Sequence, residues 1–125
     1  MTVSAFASVS LSPPLILVCI AHDASIFAAV ERAEWIGISI LAEDQEPISR
    51  RFAEPEAERF DDLTLTRGSH GVALLGGASA HLECRIVARH PSGDHTIFVA
   101  SVERAATDEG RPLVYYRGGY TQLEG

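Results

Sequence analysis

Ser49, Arg50 and Arg51 stand together near the middle of this chain. A hydroxyl beside two guanidinium forks is either a phosphate-binding group or the solvated face of a helix. Near the start, Thr2, Ser4 and Ser8 alternate with small and apolar residues. Hydroxyls there can hydrogen-bond a phosphate or the polar edge of a ring, and small neighbours let backbone come close to it. His95 heads an apolar run directly after Ser92-Gly93-Asp94; from spacing alone such a histidine is structural or merely exposed. His22, His70, His81 and His90 read as structural. All ten basic residues are Arg. The absence of Lys excludes a Schiff-base lysine and a Walker-type phosphate loop, both of which need that amine.

Cys19 and Cys84 are the two cysteines, each inside an apolar run, and read as buried reduced thiols. No HExxH or CxxC pattern accompanies the five histidines, so no metal site is expected. The formal charge of −7 argues against a nucleic-acid binder, which usually presents a basic face. Leu15 to Ala21 is too short an apolar run for a membrane span. No basic region precedes it, as a signal peptide would require. A cytoplasmic protein without membrane attachment is the expectation.

The elements that must position these residues follow from periodicity. At 125 residues the chain has room for one domain, residues 1–125. Thr2 to Ser10 alternates with period two, which predicts a strand with Val3, Ala5, Ala7 and Val9 on one face. Pro13-Pro14 predicts a turn. Leu15 to Ile20 reads as a buried strand. Asp23 is placed to cap a helix over 24–34, with Ile26, Phe27 and Val30 inward. Trp35 to Leu41 predicts a third strand. A second helix follows, with Pro47 in its first turn and Ile48 and Phe52 inward. Residues 54–71 are acidic and turn-rich and read as a surface loop. Val72 to Leu75 is a short strand before Gly76-Gly77. The clearest hairpin joins 81–90 to 95–104 across Pro91-Ser92-Gly93-Asp94. Leu113 to Tyr116 is a last strand, and Gly118-Gly119 loosens the tail. Six or seven strands with two short helices predict a mainly β, small antiparallel barrel or sandwich.

Four segments, in order, carry a resemblance to a known family: residues 2–20 (TVSAFASVSLSPPLILVCI), 36–53 (IGISILAEDQEPISRRFA), 82–103 (LECRIVARHPSGDHTIFVASVE) and 112–120 (PLVYYRGGY). Together they resemble the flavin reductase-like family, the reductase components of two-component monooxygenases. The resemblance implies an FMN-binding split barrel, a homodimer, and hydride transfer from NADH or NADPH to FMN or FAD. Reduced flavin would pass to a separate oxygenase. The cofactor-binding positions it implies are Thr2, Val3, Ser4, Ala5 and Ser8 in the first segment. In the second they are Ser39, Ile40, Leu41, Gln45, Ser49 and Arg50, with Ser39 where the family usually carries Asn. Arg117 and Tyr120 follow in the fourth. His95 is the implied catalytic position, placing the nicotinamide against the flavin. Hydride transfer needs that stacking and no protein nucleophile.

Family members carry a helix and a strand before the segment that opens here, so the resemblance implies an N-terminally truncated barrel. A missing strand leaves an edge exposed. The alternatives to a working reductase are a flavin-binding protein without turnover, or an inactive remnant of the same fold.

Overall fold

The computed structural model describes residues 1–3, 5–54 and 63–123. Its centre is an antiparallel sheet of five strands in the order β1-β2-β7-β6-β3. These are β1 (Phe6–Leu11), β2 (Pro14–Ala21), β3 (Trp35–Ile40), β6 (Ala80–Ser92) and β7 (His95–Thr107). Two smaller pairs accompany it: β4 (Leu65–Arg67) with β5 (Ala73–Leu75), and β8 (Val114–Tyr116) with β9 (Gly119–Thr121). The helices are α1 (Phe27–Arg32) and α2 (Glu46–Ala53). The mainly β expectation holds. Among the described residues no strand pairing joins β1 to β3, so the ladder does not close on itself. Among the described residues no helix is long and apolar enough to cross a membrane.

Alternation builds the core. Ile16, Val18 and Ile20 of β2 are buried, as are Thr96, Phe98 and Ala100 of β7, and Cys84 and Ile86 of β6 supply the neighbouring floor. A period of two puts such residues on one face of each strand. Phe98 and Cys84 have no exposed surface. α1 closes this face with buried Val30, while Ile26 and Phe27 pack at its margin.

Several expectations need correction. β1 begins at Phe6 rather than Thr2, and its partly buried residues are Phe6 and Ser10, on the face opposite Ala7 and Val9. A register shift between Ser8 and Ser10 breaks the simple alternation. Pro14 lies inside β2, at the edge of its pairing, and so needs no ladder donor there. α1 is shorter than 24–34, and Asp23 does not cap it; the cap position is Ile26, with no side-chain bond. The stretch read as a loop contains β4, which pairs with β5. The central hairpin is longer than expected, Ser92 pairing His95 across Gly93-Asp94. Gly93 takes φ +64° there, a left-handed value that Gly adopts without steric cost. Gly118 does not loosen the tail. Arg117 and Gly118, both at positive φ, turn β8 tightly into β9. Cys19 is half-buried rather than buried, and both thiols are free.

Candidate functional site

α2 places the most suggestive group of side chains. Pro47 suits the first turn of a helix, where its missing N–H costs nothing. Ser49 and Phe52 face inward and are buried, leaving Arg50 exposed on the other side. Arg50 and Arg51 belong to the last turn, and the first turn carries Glu46. The positive end of this helix therefore carries a carboxylate of its own, and the two arginines stand toward the opposite end. Arg50 Nη2 pairs with Glu46 Oε1 at 3.2 Å across one exposed helical turn.

Three distant stretches of chain meet at Ser49. Thr2 Oγ1 donates to the Ser49 carbonyl at 2.6 Å. Ser49 Oγ and the Tyr120 hydroxyl are 2.8 Å apart. The Arg50 guanidinium lies over the Tyr120 ring, 4.8 Å from its centroid. Tyr115 meets the same ring edge-on at 5.3 Å. A guanidinium over an aromatic face is attracted by the ring quadrupole, which orients it while leaving its N–H groups accessible. The tight turn at Arg117-Gly118 delivers Tyr120 here, because it folds β9 back on β8.

A second wall stands nearby. Ile48, Leu63, Thr64, Leu75, Gly76 and Gly77 line an open depression of about 400 Å³, within the range of small-molecule sites. Ser39 and Gln45 hold this wall from behind. Ser39 Oγ accepts from the Leu75 N–H at 3.0 Å. Gln45 accepts from the Ala42 N–H and donates to the Gly76 carbonyl, each at 2.9 Å. The Ile40 carbonyl accepts from both the N–H and the hydroxyl of Ser79. The Leu41 carbonyl accepts from the Leu113 N–H.

The structure thus brings Thr2, Ser49, Arg50 and Tyr120 together, with Ser39, Ile40, Leu41 and Gln45 bonded into the frame around them. Val3 and Ala5 are exposed, and the Ala5 carbonyl accepts from the Cys19 N–H at 3.1 Å. Ser8 is exposed on β1 opposite Ile16. Ser4 lies outside the described residues. Arg117 stacks over Tyr116, 5.3 Å from its centroid. His95 is half-buried at the head of β7, and its Nδ1 lies 2.7 Å from Asp94 Oδ1. That hydrogen bond, then the imidazole charge, holds the Asp94 carboxyl below its ordinary value.

The other histidines make structural contacts or lie at the surface. His22 pairs with Thr96 and tilts against Phe27, His70 stacks on Trp35, and His90 is exposed. Cys84 is pushed up to about 11, first by burial and then by the Glu103 and Glu83 carboxylates. The wall formed by Leu75, Gly76 and Gly77 is what residue types alone missed. The Gly-Gly step after a short apolar run was its one visible sign.

A family model described as Flavin reductase like domain matches residues 1–124. An NADH-dependent flavin reductase from Rhodococcus sp is 48% identical over 128 residues, covering 99% of this chain and 69% of that protein. The reductase component of a 4-nitrophenol 4-monooxygenase/4-nitrocatechol 2-monooxygenase from Rhodococcus opacus is 40% identical, covering 95% of this chain and 64% of that protein. Among solved structures, a Streptomyces globisporus NADH:FAD oxidoreductase in complex with NAD and FAD fragments superposes with a TM-score of 0.95 at 35% identity. It covers 99% of this chain and 76% of that one. The flavin reductase component of a bacterial two-component tryptophan halogenase gives 0.93 at 37%, covering 100% and 82%.

Proposed function

The chain belongs to the flavin reductase like domain family, and we propose that it is the reductase component of a two-component flavin-dependent system. It would take hydride from NADH or NADPH to FMN or FAD and release reduced flavin to a separate oxygenase. The observation that carries this reading is the meeting of Thr2, Ser49 and Tyr120 under the exposed Arg50. It joins three segments that are remote in sequence around one accessible cation, beside an open depression.

The residues present fit a flavin phosphate. Arg50 offers a fork whose side chain is 62% exposed, in a chain whose net charge is −7. Its partner Glu46 is itself exposed, so the pair is a weak one that a phosphate can displace. Thr2, Val3 and Ala5 supply backbone and hydroxyl groups for the polar edge of the ring system, with Ser8 further along. Arg117 and Tyr120 serve the dinucleotide side. His95 places the nicotinamide. A bound flavin supplies the hydride-accepting chemistry. The chain contributes binding, orientation and exclusion of water. A homodimer in the cytoplasm completes the reading.

Purified protein mixed with FMN or FAD and then NADH under anaerobic conditions tests it. Bleaching of the flavin absorbance supports the reductase. Flavin that binds and stays oxidised with both nicotinamides identifies a binding protein instead. Absence of flavin binding removes the reading altogether.

A further inference from the structure

Three side chains from separate stretches of the chain converge on the backbone of Leu75 and Gly76. Ser39 of β3 accepts from the Leu75 N–H at 3.0 Å. His81 of β6 places Nε2 2.5 Å from the Leu75 carbonyl. A carbonyl oxygen only accepts, so this ring nitrogen carries the hydrogen. Gln45, just before α2, donates to the Gly76 carbonyl at 2.9 Å while its other amide atom accepts from Ala42. The remaining Gly76 group, its N–H, donates to the Thr64 carbonyl at 2.8 Å.

This density of bonds exceeds what a short strand needs. β5 has three residues, and β4 already pairs with it. The additional bonds run sideways, tying β5 to the large sheet and to the start of α2. Gly77 completes the arrangement. It has φ +80°, and a Cβ built on it would stand 3.1 Å from Gln45 Nε2. Any side chain there would be strained and would press on the Gln45 amide. Gln45 itself is buried, so the loss of either bond would leave a desolvated polar group unpaired. Leu75, Gly76 and Gly77 are lining residues of the depression that also touches Ile48 of α2.

We propose that His81, Gln45 and Ser39 are positioning residues for the flavin site, which fix Leu75 to Gly77 as one wall of it without themselves touching the flavin. The proposal rests on the flavin reading above. It replaces direct contact from Ser39 and Gln45 with a supporting role, and it gives His81 a function that its isolation in sequence conceals. The wall presents backbone and apolar surface and no cation. Its effect therefore falls on the ring system and not on the phosphate.

The test compares FMN with riboflavin, which lacks the phosphate, in full-chain variants. Dissociation constants come from quenching of flavin fluorescence, and ligand-free melting is followed in parallel. H81L and Q45L are expected to weaken FMN and riboflavin alike by about tenfold, as the loss of one wall-fixing hydrogen bond implies. H81Q, which keeps an N–H for the Leu75 carbonyl, recovers most of that loss. R50A weakens FMN and spares riboflavin, which separates phosphate binding from wall positioning. Should a Leu variant fail to fold, S39A removes an acceptor with little change in volume and is expected to weaken both flavins. Wild-type binding of both flavins by the folded variants overturns the positioning role alone. A wild-type chain that takes up neither flavin overturns the flavin reading, and this proposal with it.

Discussion

Arg50 and His95 carry the two residue-scale claims, and they are separable by ligand. An Arg–phosphate contact is charge-assisted and worth about 1.5–3 kcal/mol, so Arg50→Ala should weaken FMN by about one to two decades. Riboflavin should be nearly unaffected. Equal losses for both would count against a phosphate role. His95→Ala should leave flavin affinity intact and slow anaerobic reduction by NADH by about ten- to a hundredfold. An unchanged rate removes His95 from the mechanism. The two thiols supply an independent check on the packing. Cys84 is fully buried and its ionisation is shifted up to about 11, whereas Cys19 is half-buried. A thiol reagent should modify Cys19 in the native protein and reach Cys84 only on unfolding. The shift also has a consequence for stability. Between the ordinary thiol value of 9.0 and about 11, the unfolded chain releases the Cys84 proton and the folded chain keeps it. Unfolding is therefore favoured as pH rises through that window, and the contribution is fully present below it. Urea midpoints that fall across this range in wild type, but fall less in Cys84→Ala, would bear this out.

At the scale of elements, β7 is the organising strand, since it pairs with both β2 and β6 and carries Phe98 at the bottom of the core. Phe98→Ala should cost about 3–5 kcal/mol, the range for an aromatic removed from a closed core. A loss below about 1 kcal/mol would mean that the sheet is not packed as described. Much of this layer was legible in sequence, because the short apolar run Leu15 to Ile20 and the hairpin around Ser92-Gly93-Asp94 leave few other solutions. α2 was legible from Pro47 at its start and from Ile48 and Phe52 spaced four apart. What escaped has a physical cause in each case. β4 has only three residues and gains its pairing from β5, so it carries no periodic signal of its own. The tail turn at Arg117-Gly118 puts a non-glycine residue at positive φ, against the usual preference. Asp23 fails as a cap because it lies inside one turn, from Ala21 to Ala24, and a second turn follows before the helix begins at Phe27. The site divides similarly. Ser49, Arg50 and Tyr120 were visible as residue types, but their contact depends on β9 folding back. Gln45 and Ser39 were visible as polar residues near the site, whereas their use on the Leu75–Gly76 backbone follows only from where β5 lies.

For the whole molecule, the proposal is a homodimer that reduces flavin for a separate oxygenase. Leu11 is 90% exposed at one edge of the sheet, and Tyr115, Tyr116 and Leu123 are exposed around the tail hairpin. Burial of such surface between two copies would favour association. Sedimentation at micromolar concentration should give the mass of two chains, and a well-folded monomer would contradict it. Flavin reduction by a nicotinamide is the reaction on which all of this depends. Stopped-flow absorbance of the flavin, recorded without oxygen after mixing the protein and FMN or FAD with NADH, measures it directly. Rapid bleaching that depends on the protein and saturates with NADH is expected. Flavin that remains oxidised with NADH and with NADPH, in a protein shown to be folded, would contradict it.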